Sequence, residues 1–359
     1  MSRSKGSRSK NEPTDAARMP VIAIVGLDGR GVALGQALQQ VKTRFALHGH
    51  DREPARVRAA LGAGAIDHGQ WSVAELAASA DLIFLAESGD ANLETLAVIA
   101  PHVRPGTLVT TLGPAMQPAC RRAAELLPPG VSFIAAHPVL RLAQAAQATQ
   151  AAQTAVPAAS SSAAANVPSA SGAVFRGATF CLAPLPTASD SAVRVLRGLV
   201  ADIGATPYFI DPAEHDGLVA GVGVMPYVLA TALLRVADRS PSARDLRRLA
   251  GAPFHALVDA GLGEADGVDP ITAAGSTEGL GLWIDQVIAE LAEVRTLLAA
   301  GDTTRLAALA EAAERAWGAW LAPPEGEGGS DVYDQVREDI SLSAMLFGRW
   351  RPPGRRGGG

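Results

Sequence analysis

The run V-I-A-I-V, Val21 to Val25, followed at once by G-L-D-G-R-G, Gly26 to Gly31, constrains this chain more than any other feature. Five consecutive apolar residues, mostly β-branched, leave no polar face for water. Such a run reads as a strand buried on both sides, which is the environment of a parallel sheet. A parallel sheet needs crossover connections, and the stretch from Gly31 to Val41 carries Val32, Leu34 and Leu38 at helical spacing. Similar runs follow at Phe45–Asp51, Ala80–Ala86, Thr107–Thr111, Val131–Ala136, Ala178–Ala183 and Pro207–Ile210. Helical stretches separate several of them, at Arg52–Leu61, Leu93–Ala100 and Asp190–Ile203. Strands alternating with helices predict a doubly wound α/β domain with a parallel sheet.

After Pro212 the strand pattern stops. Ala213–Val236, Ala243–Ala260, Gly279–Ala299 and Thr303–Leu321 have helical periodicity, so a second, all-α domain is expected. The expected boundaries are a disordered tail at 1–19, the α/β domain at 20–211, the helical domain at 212–322 and a loosely attached tail at 323–359. Residues 142–171, rich in Ala, Gln and Ser, interrupt the α/β domain as a low-complexity insertion.

Composition narrows the chemistry. Lysine occurs only at Lys5, Lys10 and Lys42. Lys42 follows Val41, so it is not the G-K-[ST] lysine of a phosphate-binding P-loop. Schiff-base chemistry and lysine acid/base catalysis have no candidate. Two cysteines, Cys120 and Cys181, make no disulfide framework, and no Cys/His cluster has zinc spacing, so no metal is expected. The net charge of −5 gives no nucleic-acid signature. No apolar run reaches the 18 residues of a membrane span, and the N-terminus lacks a signal-peptide core. A cytoplasmic protein with no membrane partner is the expectation.

The glycine turn resembles the G-x-G-x-x-G of dinucleotide sites. Its first glycine makes the turn and its third lets helix and strand pack closely. Gly26 and Gly31 occupy those places, and Leu27 and Gly29 complete the turn. The middle position is Asp28, which sets a carboxylate beside an anionic ligand. Asp51 lies twenty positions after Gly31, at the end of the second strand, where an acid accepts bonds from ribose hydroxyls. Asp51 favours NAD, while Arg52 beside it could tolerate the extra phosphate of NADP. His137, after F-I-A-A and before Pro138, stands at a strand end facing the crevice of such sheets. Its ordinary pKa suits acid/base work, although a structural role for it is equally compatible with position alone.

Taken together, several segments resemble the prephenate/arogenate dehydrogenases of tyrosine biosynthesis. They are I-V-G-L-D-G-R-G, G-H-D-R-E-P-A-R (49–56), A-D-L-I-F-L-A (80–86), P-G-T-L-V-T (105–110), H-P (137–138), F-R-G-A-T-F-C-L-A-P (175–184) and E-H-D-G-L-V-A-G (214–221). The resemblance implies a Rossmann-type domain followed by a helical dimerisation domain, hence a homodimer acting on a small molecule. It implies an NAD- or NADP-dependent oxidative decarboxylation. His137 takes the proton of the ring hydroxyl, hydride leaves the same carbon for the nicotinamide, and the ring carboxylate departs as carbon dioxide. Several positions depart from the family pattern. Pro114 and Met116 stand where it has serine and lysine, Gly223 to Tyr227 replace a histidine-containing S-H-L-P-H, and His255 and Asp259 replace arginines. Arg141 is then the expected carboxylate partner, because a guanidinium binds carboxylates at two points. The alternative is a non-catalytic nucleotide- or metabolite-binding dimer.

Overall fold

A computed structural model of the chain describes residues 18–87, 90–140, 172–262 and 275–321. Within them eight strands form one sheet: β1 (Val21–Val25), β2 (Ala46–His50), β3 (His68–Gly69), β4 (Leu82–Leu85), β5 (Leu108–Leu112), β6 (Ser132–Val139), β7 (Thr179–Pro184) and β8 (Thr206–Phe209). The spatial order is β3-β2-β1-β4-β5-β6-β7-β8. β1 to β6 run parallel, β7 is antiparallel to β6, and β8 is parallel to β7. The order reverses between β1 and β4, and ligands of open α/β sheets bind in the crevice beyond the carboxyl ends of strands at such a switch point.

The continuous apolar runs are explained by two cores, one on each face. Ile22 and Ile24 point to a core with Leu34, Leu38, Phe45, Phe84, Ile134 and Phe180. Val21, Ala23 and Val25 point to the opposite core with Ile83, Leu85, Val109 and Phe133. The helices covering these faces are α1 (Gly29–Gln40), α2 (Pro54–Gly62), α3 (Val73–Ser79), α4 (Ala91–Ile99), α5 (Met116–Leu126) and α6 (Asp190–Asp202). Lys42, at the end of α1, pairs with Asp67, which also accepts Leu47 N–H at 2.7 Å. This lysine pins α1 to the sheet edge.

Three local features differ from expectation. β3 and α3 were not foreseen, although Ser72 caps α3 through Glu75 N–H (3.2 Å) in a plain S-x-x-E signature. His68 lies in β3. His137 and Pro138 lie inside β6, which continues to Val139 because β7 pairs with it. Arg18, expected in the tail, reaches Ser79 C=O (2.7 Å) and Asp81 (2.5 Å). Arg141, the low-complexity insertion at 142–171 and the C-terminal tail at 323–359 lie outside the described residues.

Past Phe209 every described element is helical: α7 (Pro212–Val219), a π-turn (Ala220–Val224), α8 (Met225–Asp238), α9 (Ala243–Leu249), α10 (Ala252–Leu262), α11 (Thr277–Ala300) and α12 (Thr303–Leu321). Asp211 caps α7 with Pro212 in its first turn, and Gly301, at φ +65°, closes α11. Gly221 in the π-turn lets α11 close in, since a Cβ there would stand 2.2 Å from the Trp283 ring. The span Pro212–Asp238 is long and apolar enough to cross a membrane by length and composition. An uninterrupted apolar count misses it because glycine, tyrosine and threonine punctuate it. The helical core is small, with Ala220, Val224, Met225 and Leu280 as its buried residues. Leu218, Val222, Leu229, Leu233, Leu282, Ile288 and Trp320 are exposed.

Candidate functional site

Of the six parallel strands, β1, β2, β4 and β6 carry the site at their carboxyl ends. β1 ends at Gly26, whose φ of +91° suits glycine, and whose N–H bonds His50 C=O at 2.9 Å. A Cβ on Gly26 would meet Glu87 N at 2.7 Å, and one on Gly31 would lie 1.9 Å from Gly26 C=O. Both glycines are therefore required by close approach, as the sequence pattern predicts.

Asp28 does more than add charge. It is the N-cap of α1 and accepts from Arg30 N–H (3.0 Å) and Gly31 N–H (3.3 Å). These amides belong to the helix N-terminus that receives a pyrophosphate in dinucleotide sites. The carboxylate therefore stands on the anion's own donors.

Asp51 is buried. It accepts Leu27 N–H and Glu53 N–H, each at 2.8 Å, tying the glycine turn to the start of α2. Arg52 swings across the mouth to Glu87 (3.5 Å) and Glu94 (3.2 Å). Glu87 was not foreseen. Asn92 clamps its backbone N–H (3.0 Å) and C=O (2.9 Å), its carboxyl also takes the Thr95 hydroxyl, and burial raises its pKa.

On the other side of the crevice stands His137. Its Nδ1 lies 3.0 Å from Nε2 of His215, and His215 Nδ1 lies 2.9 Å from Oδ1 of Asp216. Asp216 is fully buried and takes Met116 N–H and Gln117 N–H, each at 2.9 Å. His137 is legible in the sequence as a candidate; His215 lies in the first helix after the sheet and is not singled out. The signal was the E-H-D-G at 214–217, directly after the last strand. Burial lowers the His137 pKa to about 3, and the neighbouring His215 and Arg30 push it the same way. His137 is neutral at ordinary pH. Cys181 faces His137 across β6 and β7, but burial raises its thiol to about 11 and makes it no nucleophile.

The departures from the family pattern also have places. Met116 is buried, and only its amide enters the network. Val224 and Met225 are core residues of the helical domain. His255 and Asp259 are exposed on α10.

A sheet of this order, a glycine turn at its switch point and a following helical region define an α/β fold of the nucleotide-binding type. Residues 34–156 match the sequence model of the prephenate dehydrogenase nucleotide-binding domain. Among solved structures, Synechocystis arogenate dehydrogenase is 21% identical with a TM-score of 0.67, over 84% of this chain and 100% of that one. Prephenate dehydrogenase from Aquifex aeolicus, in complex with hydroxyphenyl propionate and NAD+, is 18% identical with a TM-score of 0.68, over 84% of this chain and 98% of that one. No curated protein sequence matches.

Proposed function

We propose that the protein is an NAD(P)-dependent oxidoreductase that oxidatively decarboxylates a cyclohexadienyl acid of the prephenate or arogenate type. The observation that carries this reading is the buried His137–His215–Asp216 chain at the carboxyl edge of the sheet. It supplies a neutral imidazole where the family's reaction needs a base. The cofactor side is compatible with a dinucleotide: Gly26 and Gly31 leave backbone free to approach, and Asp51 closes the ribose end. A bound nicotinamide would supply the hydride acceptor. Asp51 favours NAD, because its carboxylate would repel a 2′-phosphate and Arg52 is already engaged by two glutamates.

The Asp28 cap supports a second reading, a non-catalytic relative that binds nucleotide weakly or not at all. One assay separates the two. Purified protein is mixed with NAD or NADP and with prephenate or arogenate, and nicotinamide absorbance is followed. Turnover is expected with NAD; its absence for every substrate and cofactor pair leaves the non-catalytic reading.

Asp28→Gly should tighten NAD binding about tenfold, or about 1.4 kcal/mol, by calorimetric titration. The change frees the amides of Arg30 and Gly31 and removes a like charge, and a glycine N-cap costs the helix only a few tenths of a kcal/mol. Equal affinities would mean that the carboxylate already moves aside without cost.

The exposed apolar side chains of α7, α8, α11 and α12 favour a homodimer with packed helical domains. Light scattering should give twice the chain mass at tens of micromolar. A monomer would refute the dimer, and a detergent requirement would point to a membrane instead.

A further inference from the structure

We propose that His215 and Asp216 form a one-way proton relay behind His137, which fixes the tautomer of His137 and receives the proton that it accepts. The inference rests on the reading of His137 as a base; for a neutral His215, the placement of protons follows from the hydrogen bonds.

Backbone amides can only donate, so the two Asp216 oxygens that meet Met116 N–H and Gln117 N–H are acceptors. Oδ1 also meets His215 Nδ1 at 2.9 Å, so the proton of that bond resides on Nδ1. A neutral His215 then has a bare Nε2, which can only accept. His137 Nδ1, at 3.0 Å, must therefore be the donor, and the lone pair of His137 lies on Nε2. Two amides at the start of α5 thus decide, through two rings, which nitrogen of His137 is basic. Free histidine in water prefers the opposite tautomer.

The relay answers an electrostatic problem. A proton on His137 Nε2 makes a cation that burial and Arg30 both oppose. If the Nδ1 proton passes to His215 Nε2, the positive charge moves next to the Asp216 carboxylate. His137 is again neutral, now protonated on Nε2. At His137 the Nε2–H bond forms as the Nδ1–H bond breaks; at His215 the Nε2–H bond forms while Nδ1–H stays on Asp216, so the ring carries the charge, and nothing is oxidised or reduced. The charged and titratable groups facing the chain are Arg30 on α1, His215 and Asp216 on α7, the Cys181 thiol on β7, raised to about 11 by burial, and the Cys120 thiol on α5, raised to about 11 by burial and by Asp216. Gly275, at φ +66°, closes over the carboxylate, where a Cβ would stand 2.6 Å from Oδ2.

His215 acts through His137 and is a positioning residue. The test uses the full chain labelled with ¹⁵N-histidine and long-range ¹H–¹⁵N correlation spectra over the neutral and mildly acidic range. His137 and His215 should both appear as Nδ1–H tautomers, and His137 should not titrate. A His137 protonated on Nε2, or one titrating at the ordinary imidazole pKa, overturns the proposal. His215→Asn keeps a donor to Asp216 in the Nδ1 place and removes only the Nε2 acceptor. In this variant His137 should revert toward the Nε2–H tautomer, and kcat should fall at least tenfold with the KM for NAD unchanged. A folded variant with the wild-type His137 tautomer and pH profile also overturns it. A wild-type chain with the expected tautomers and no turnover would refute the enzymatic reading while supporting the proton assignment.

Discussion

The His137→Asn protein is expected to fold normally, bind NAD as the parent does and lose about 10²–10⁴ in turnover. Asparagine Nδ2 takes the place of imidazole Nδ1 and can still donate to His215 Nε2, so the buried chain stays satisfied. What disappears is the bare nitrogen facing the crevice. Nothing else among the described residues can take over: Cys181 is held protonated by burial, and Glu87 sits across the cofactor mouth with its carboxyl on Thr95 and Arg52. The loss should therefore fall on kcat. Steady-state kinetics with calorimetric NAD titration measures both quantities. Full activity in His137→Asn would show that the family's acid/base chemistry does not operate in this chain.

The features legible in the sequence are those whose cause is local. Val21–Val25 reads as a doubly buried strand because every residue in it is apolar, and the two cores that receive its alternating side chains confirm why. Gly26 and Gly31 read correctly because tight turns and close helix–strand approach leave few other choices. Asp28 was legible as a charge but not as a cap, because whether a carboxylate faces a ligand or its own helix depends on χ1, which composition does not reveal. The two-residue β3 is too short to have a period, and it forms because β2 offers it an open edge. His215 and Asp216 were missed for a different reason. Their partners lie 78 and about 100 residues away, and only the folding of α7 against α5 brings them together.

The same long-range geometry predicts the largest loss of stability. α5 begins at Met116 after Ala115, a residue with no side chain to cap the helix. Asp216 supplies the missing cap from another helix, its two oxygens taking the amides of Met116 and Gln117. The positive end of the α5 dipole, two amides and His215 together explain how a fully buried carboxylate is tolerated. Asp216→Ala leaves both amides and His215 Nδ1–H buried without an acceptor. Each orphaned donor costs about 1–3 kcal/mol, and removing one member of a buried charged network costs about 3–5 kcal/mol. For a domain pair of this size the melting temperature should fall by on the order of 10 °C. Asp216→Asn should lie between, because its amide group turns one acceptor into a donor facing Gln117 N–H or His215. Thermal unfolding followed by circular dichroism decides the matter. A change under about 1 kcal/mol in Asp216→Ala would mean that water reaches the start of α5 and that the cap contributes little. The paired outcome, a large loss for Asp216→Ala and almost none for His137→Asn, would show that one chain of hydrogen bonds serves stability at its buried end and chemistry at its open end.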